Sequence, residues 1–182
     1  MEIEALSDDG KKALVDLLNK SIQVEYGLIL NYPRVIDYLV GYEKINDEIL
    51  NKDLEKVGID SSRHLGWVVE IIHKIGGEPV WQINTIERLM DAPKMLTRQL
   101  EKEKKALELY QEAVRLVHRH TVKAKVSDIS GKFLRTNKQG LQEEVIDINE
   151  LVERLERIAI DERNHVKLVH DSLATLDYLM NK

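Results

Sequence analysis

The sequence contains no cysteine. That absence excludes disulfides, thiolate catalysis, zinc fingers and iron–sulfur ligation. Proline occurs three times in 182 residues, so little interrupts a long helix. No apolar run is long enough to span a bilayer, and no N-terminal basic-plus-apolar segment looks like a signal peptide. A cytoplasmic protein is therefore expected. The net charge of -5 argues against nonspecific nucleic-acid binding as the main role. There is no glycine-rich phosphate loop and no nucleophile elbow.

What is present leans helical. Hydrophobic residues make up 43% and charged residues 32%, which fits a folded, highly charged chain and not a disordered one. The length suits one domain over residues 1–182 with one core. Ser7-Asp8-Asp9 starts a first helix that runs to about Val40, with Gly41 at its end. Pro33 either bends this helix near Ile29 or breaks it. A second helix spans residues 46–75 and stops at Gly76-Gly77-Glu78-Pro79. Residues 80–90 read as a connector, with or without a short helix. Asp91-Ala92-Pro93 opens a third helix that runs to about His118. Residues 121–140 break the pattern. There Val122, Ala124 and Val126 alternate with basic residues, which predicts a short hairpin or a mobile loop. A fourth helix spans residues 142–179. Four such helices predict an all-α, antiparallel four-helix bundle, with a long connection between helices 2 and 3 and an insert between helices 3 and 4.

The apolar stripes carry an anomaly. Leu96, Leu100, Glu103, Leu107, Tyr110, Val114 and Val117 form the third helix's stripe, with Glu103 in its middle. The first helix repeats this with Leu14, Leu18, Ser21, Glu25, Leu28 and Tyr32. The fourth gives Leu155, Ile158, Glu162, His165, Val169 and Ser172, and the second gives Val57, Ser61, His64, Val68 and Ile71. Three carboxylates and two imidazoles thus aim at the middle of the core, and no Lys or Arg on these stripes neutralises them. A buried carboxylate must be paired, protonated or bound to a cation. A multivalent metal is the economical solution, because Glu and His at i, i+3 share one helix face. The Glu-x6-Tyr spacing also occurs twice, from Glu25 to Tyr32 and from Glu103 to Tyr110. Glu and His suit iron and manganese, and zinc also fits.

The second and fourth helices resemble each other. Gly58-Ile59-Asp60-Ser61-Ser62-Arg63-His64 aligns with Ala159-Ile160-Asp161-Glu162-Arg163-Asn164-His165. Upstream, Leu54-Glu55-Lys56-Val57 aligns with Leu155-Glu156-Arg157-Ile158. The marked departure is Ser61, which faces Glu162.

With these residues in view, the sequence resembles the ferritin-like di-iron carboxylate superfamily, on the bacterioferritin and rubrerythrin side. Its pattern is one Glu from each of two helices and Glu-x-x-His from each of the other two. The resemblance implies that Glu25 and Glu103 are the lone glutamates. It implies that Glu162 and His165 form the second Glu-x-x-His and that His64 is the histidine of the first. Tyr32 and Tyr110 fall where tyrosines often support the ligands, though both also read as core tyrosines with satisfied hydroxyls. The Ile75-Gly76-Gly77-Glu78-Pro79 ending is familiar from the same group. Ser61 stands where the family carries a bridging Glu. In the family's arrangement Glu25 and His64 would hold one ion, Glu103 and His165 the other, and Glu162 would bridge both. With Ser61 the centre would bind two ions with water or hydroxide in the gap, or bind one tightly and one weakly. Entry of Asp60 through a helix distortion is a third outcome, disfavoured because Asp60 points about 100° away round an ideal helix. Asp60 and Asp161 are expected to share a structural role.

The implied chemistry is oxidation of ferrous iron or reduction of peroxide, with oxygen or peroxide and ferrous iron as substrates. Without cysteine, the electrons come from ferrous iron or an external partner. Two other readings stand beside it. One is a non-catalytic, structural bundle with a degenerate, single-metal site. The other is an iron-storage cage subunit, which the insert makes less apt. A homodimer or small oligomer is expected. A surface metal on His118 and His120 is disfavoured, since i, i+2 side chains diverge on a helix, although in a strand they would share a face. His73 and His170 are expected at the surface, and Trp67 and Trp81 in packing.

Overall fold

The computed structural model describes residues 2–82, 91–125 and 147–181. Two short strands and four long helices follow in chain order: β1 (Glu2–Leu6), α1 (Asp8–Gly41), α2 (Glu48–Lys74), α3 (Ala92–His120), β2 (Thr121–Lys125) and α4 (Ile148–Met180). Each helix starts at a side-chain cap. The Ser7 hydroxyl accepts from the Gly10 amide at 3.1 Å, Asp47 from Leu50 at 2.8 Å, Asp91 from Lys94 at 2.9 Å and Asp147 from Asn149 at 2.8 Å. Such caps satisfy amides that the helix cannot, and each is worth about 1 kcal/mol.

The α1 helix is continuous through Pro33, so the alternative of a break is excluded. The α2 helix ends at Lys74 with Ile75 as its C-cap, and Gly76 takes φ +80°. The Gly77 amide donates to the Ile72 carbonyl at 2.8 Å and the Gly76 amide to His73 at 3.0 Å. Only glycine takes this left-handed turn without strain, which is why the helix stops there.

The helices form a square ring. The α1 helix packs on α2 and α3, and α4 packs on α3 and, less closely, on α2. Two apolar clusters fix the directions. One gathers the start of α1, the ends of α2 and α3 and the start of α4, including Leu14, Leu18, Ile71, Val117 and Leu151. The other gathers the opposite ends, including Leu28, Leu39, Leu54, Leu96 and Val169. Neighbours in the ring are therefore antiparallel. The α2 and α3 helices run the same way across a diagonal, so the segment joining them must travel the length of the bundle. That is the reason for the long connection expected from sequence. No helix among the described residues is long and apolar enough to cross a membrane.

The sheet differs from expectation. Thr121 does begin a strand, and among the described residues β2 pairs antiparallel with β1, from Leu6↔Thr121 to Glu2↔Lys125. Residues 126–140 of that insert lie outside the described residues, as do 83–90 of the connector and 142–146 of the expected fourth helix. The α3 helix also runs on to His120, past its expected end. Basic His118, Arg119 and His120 occupy its last turn, where they suit the negative end of the helix dipole. On its stripe, Leu107 and Val114 are only half-buried, while Ala106 and Ala113 are buried where α3 meets its neighbours. Trp81 is 56% exposed and meets Tyr26 edge-on at 6.2 Å, so it is not a core residue. His73 and His170 are exposed, as expected.

The sheet brings the start of α1 against the end of α3, where the Ser7 amide donates to the His120 carbonyl at 3.0 Å. A Cβ added at Gly10 would lie 2.5 Å from Cβ of His120. That atom is fixed to the backbone and cannot swing aside. Gly10→Ala is expected to destabilise the protein by about 1–3 kcal/mol, the usual cost of overpacking. Urea unfolding checks this; an unchanged midpoint would mean that the helices part freely at this end.

Candidate metal centre

Between the two apolar clusters lies a polar layer. Glu25, Ser61, His64, Glu103 and Glu162 are each 0% exposed and His165 is 4% exposed. Every residue expected at the site from sequence is in this layer. Glu25 lies as many residues from the start of α1 as Glu103 lies from the end of α3, which puts them at one depth in antiparallel neighbours. The pair from α2 and the pair from α4 complete the layer, where their two imidazoles lie face to face.

The side chains form two matching sets. His64 Nδ1 lies 3.6 Å from Glu25 Oε1, and His165 Nδ1 lies 3.5 Å from Glu103 Oε2. Glu162 Oε1 touches both sets, at 2.7 Å from His64 Nδ1 and 3.6 Å from His165 Nδ1. The two imidazoles are stacked, with ring centroids 5.6 Å apart. Ligand atoms of His64, Glu162 and His165 all lie within 4.8 Å of one another.

Each set is braced crosswise. The Tyr32 hydroxyl donates to Glu103 Oε1 at 2.5 Å, and the Tyr110 hydroxyl donates to Glu25 Oε1 at 2.7 Å. Burial, and then the facing carboxylates, push both tyrosine hydroxyls well above their ordinary range, so they stay protonated and keep donating. These tyrosines are core residues and carboxylate partners at once.

The outer nitrogens of the imidazoles meet aspartates from the opposite helix. His64 Nε2 lies 3.2 Å from Asp161 Oδ2, and His165 Nε2 lies 3.3 Å from Asp60 Oδ2. A carboxylate on the far nitrogen fixes the ring's orientation and leaves Nδ1 facing inward. Arg63 links the two aspartates, with Nη2 3.0 Å from Asp60 Oδ1 and 3.0 Å from Asp161 Oδ2. Its guanidinium and that of Arg157 lie 5.3 Å and 5.5 Å from the ring centre of half-buried Trp67. Sequence reasoning gave the aspartates a shared role but not this one. The signal was there: the alignment of α2 with α4 pairs Asp60 with Asp161, and each sits one residue before a buried position. Arg63 had no such signal, since Asn164 is its counterpart.

The electrostatics of the layer are those of a site short of positive charge. Burial, helped by Glu162, pushes the Glu25 carboxyl up to about 7. Burial also raises Glu162. Burial works to lower His64, but Glu162 and Glu25 outweigh it and hold the imidazolium up to about 10. His165 is likewise lowered by burial and raised further by Glu103 and Glu162, again to about 10. Several inward atoms have no hydrogen-bond partner: Oε2 of Glu25, Glu103 and Glu162, the Ser61 hydroxyl and His165 Nδ1. Buried native polar atoms are ordinarily satisfied. Orphaned oxygens and an imidazole nitrogen converging on one layer are a donor set suited to a hard or borderline divalent cation.

A pH dependence follows. The folded chain holds a proton on Glu25 up to about 7, and holds protons on His64 and His165 up to about 10. The unfolded chain releases them near 4.5 and 6.5. Stability falls with rising pH wherever the folded state binds more protons. The metal-free protein is therefore expected to lose stability from about pH 5 to about pH 9. Saturating divalent metal should oppose the loss, since its ligands must shed those protons to bind. Urea midpoints at both ends of that range, with and without metal, check this. A metal-free midpoint that rises with pH would contradict it.

No protein-family model matches the sequence, and no curated protein matches it significantly. Solved structures do match. A ferritin-like, diiron-carboxylate protein from Bacillus anthracis str. Ames superposes with a TM-score of 0.67 at 20% identity, over 92% of this chain and 99% of that one. The bacterioferritin of Desulfovibrio desulfuricans, described with a diiron site in different catalytic states, superposes with a TM-score of 0.65 at 18% identity, over 94% of this chain and 84% of that one. The square antiparallel ring with its buried polar layer is thus the ferritin-like four-helix-bundle fold.

Proposed function

We propose that the chain holds two metal ions in this layer and oxidises ferrous iron with oxygen or peroxide. The observation that carries the reading is the pairing of the inward groups into two sets sharing Glu162. Glu25 and His64 would hold one ion, Glu103 and His165 the other, and Glu162 would bridge them. A bound iron pair supplies two one-electron oxidations, enough to take one oxygen to peroxide or one peroxide to water.

The chain's own residues prepare for this in four ways. Tyr32 and Tyr110 each tie up one oxygen of a terminal carboxylate and leave the other free. Asp60 and Asp161 orient the imidazoles. Arg63 holds the two aspartates together and offsets their charge. The apolar clusters on both sides keep bulk water from the layer, so charges within it interact strongly. The neighbours' printed diiron chemistry supports iron as the metal. Manganese or zinc would suit the same donors.

One observation favours a second reading. Among the described residues, His64, Glu162 and His165 are the group that brings its ligand atoms within 4.8 Å of one another, which suits a single ion. With Ser61 opposite Glu162, the site would then bind one metal without turnover.

Stopped-flow oxidation of ferrous iron, followed by ultraviolet absorbance, separates the two. The wild-type chain should oxidise iron faster than buffer. Glu162→Gln should slow it by at least about 100-fold, the upper end of what altering a supporting residue costs. Circular dichroism verifies that the variant keeps its fold. A wild-type rate equal to buffer, or an unchanged variant, would reject the oxidase reading.

A further inference from the structure

Ser61 is the place where the two halves of the layer fail to match. It lies one turn before His64 on the buried face of α2, fully enclosed, and its hydroxyl has no hydrogen-bond partner. A hydroxyl sealed from water ordinarily finds a partner, since leaving it without one is costly. The Oε2 atoms of Glu25, Glu103 and Glu162 share the layer and likewise have no hydrogen-bond partner.

The pseudo-twofold relation of α2 and α4 says what belongs there. Glu162 reaches both histidines from its side. A group in the mirrored position would reach the same two sets from the other side. Serine is too short, and falls short of glutamate by about the atoms of one carboxyl group. A planar carboxylate with two oxygens on one carbon matches the group that serine lacks, and supplies both the missing bridge and an acceptor for the Ser61 hydroxyl.

We infer that the Ser61 side of the layer binds a small exogenous carboxylate, of the size of formate, as the second bridge between two metal ions. The chain thereby exchanges a built-in ligand for one drawn from solution, and the centre responds to the supply of that anion. This rests on the two-ion reading above. A hydroxide offers one atom, where a carboxylate spans the difference in length between serine and glutamate. Acetate carries an added methyl group that the closed layer must displace.

The test uses the full chain loaded with cobalt(II), whose visible spectrum reports its ligands. Cobalt is counted by elemental analysis, and sodium formate is then titrated at ionic strength held constant with chloride. Two cobalt ions per chain and a saturable spectral change with formate are expected. Acetate should bind roughly tenfold more weakly, the cost of forcing a methyl group into packed space. Ser61→Glu should hold two cobalt ions and give no response, because its own carboxylate fills the place. Ser61→Ala should respond with roughly fivefold weaker affinity, having lost one hydrogen bond. Two cobalt ions with no formate response in the wild type would overturn this inference alone, as would Ser61→Glu responding like the wild type. Fewer than two cobalt ions would overturn the two-ion reading, and this inference with it.

Discussion

Three glutamates sealed between two apolar clusters must be matched by positive charge, and the interior of this bundle is organised around that requirement. Burying an unpaired carboxylate costs more than a typical domain's whole margin of stability can absorb. Without metal, the match comes from protons: both buried imidazoles hold theirs far above the ordinary histidine range, and the Glu25 carboxyl shares in the effect. Cations of higher charge would do the same work with fewer particles and would also use the carboxylate oxygens that protons leave idle. The layer is thus built to a charge pattern before it is built to a particular metal.

The surrounding structure serves that layer. Antiparallel pairing in the square ring sets Glu25 and Glu103 at one depth, and the shared pattern of α2 and α4 sets His64 and His165 at the same depth. The bracing runs crosswise: a tyrosine of α1 holds the glutamate of α3, a tyrosine of α3 holds the glutamate of α1, and aspartates of α2 and α4 hold each other's histidines. Each helix is therefore positioned by a partner's polar group as well as by apolar contact. Arg63 breaks this symmetry, because one guanidinium serves both aspartates while Asn164 stands at its counterpart. Ser61 breaks it again at the centre of the layer. Both departures lie on α2, so the two halves of the site differ in kind on one helix only.

Much of this was legible in the sequence because it rests on period and register. Polar residues at 3.6-residue spacing on otherwise apolar stripes located the layer, and the alignment of Asp60-Ser61 with Asp161-Glu162 located the asymmetry. The four N-caps were half visible: Ser7 and Asp91 stand at clear composition breaks, while Asp47 sits between Asn46 and Glu48, and Asp147 sits between Ile146 and Ile148 inside the expected fourth helix, so neither was singled out. What local pattern cannot encode was missed. The pairing of β2 with β1 joins segments more than a hundred residues apart, so alternation marked a strand without naming its partner. The same holds for Arg63, whose role depends on an aspartate of a different helix.

The proposed oxidation chemistry requires that a pair of divalent ions supply the charge missing from this layer. The direct test is an anaerobic equilibrium titration of the chelator-treated full chain with ferrous iron, counting ions bound per chain after gel filtration. Two per chain is the predicted result. A chain that binds none, and stays folded with its imidazoles protonated, would show that protons alone balance the three carboxylates and would contradict the account.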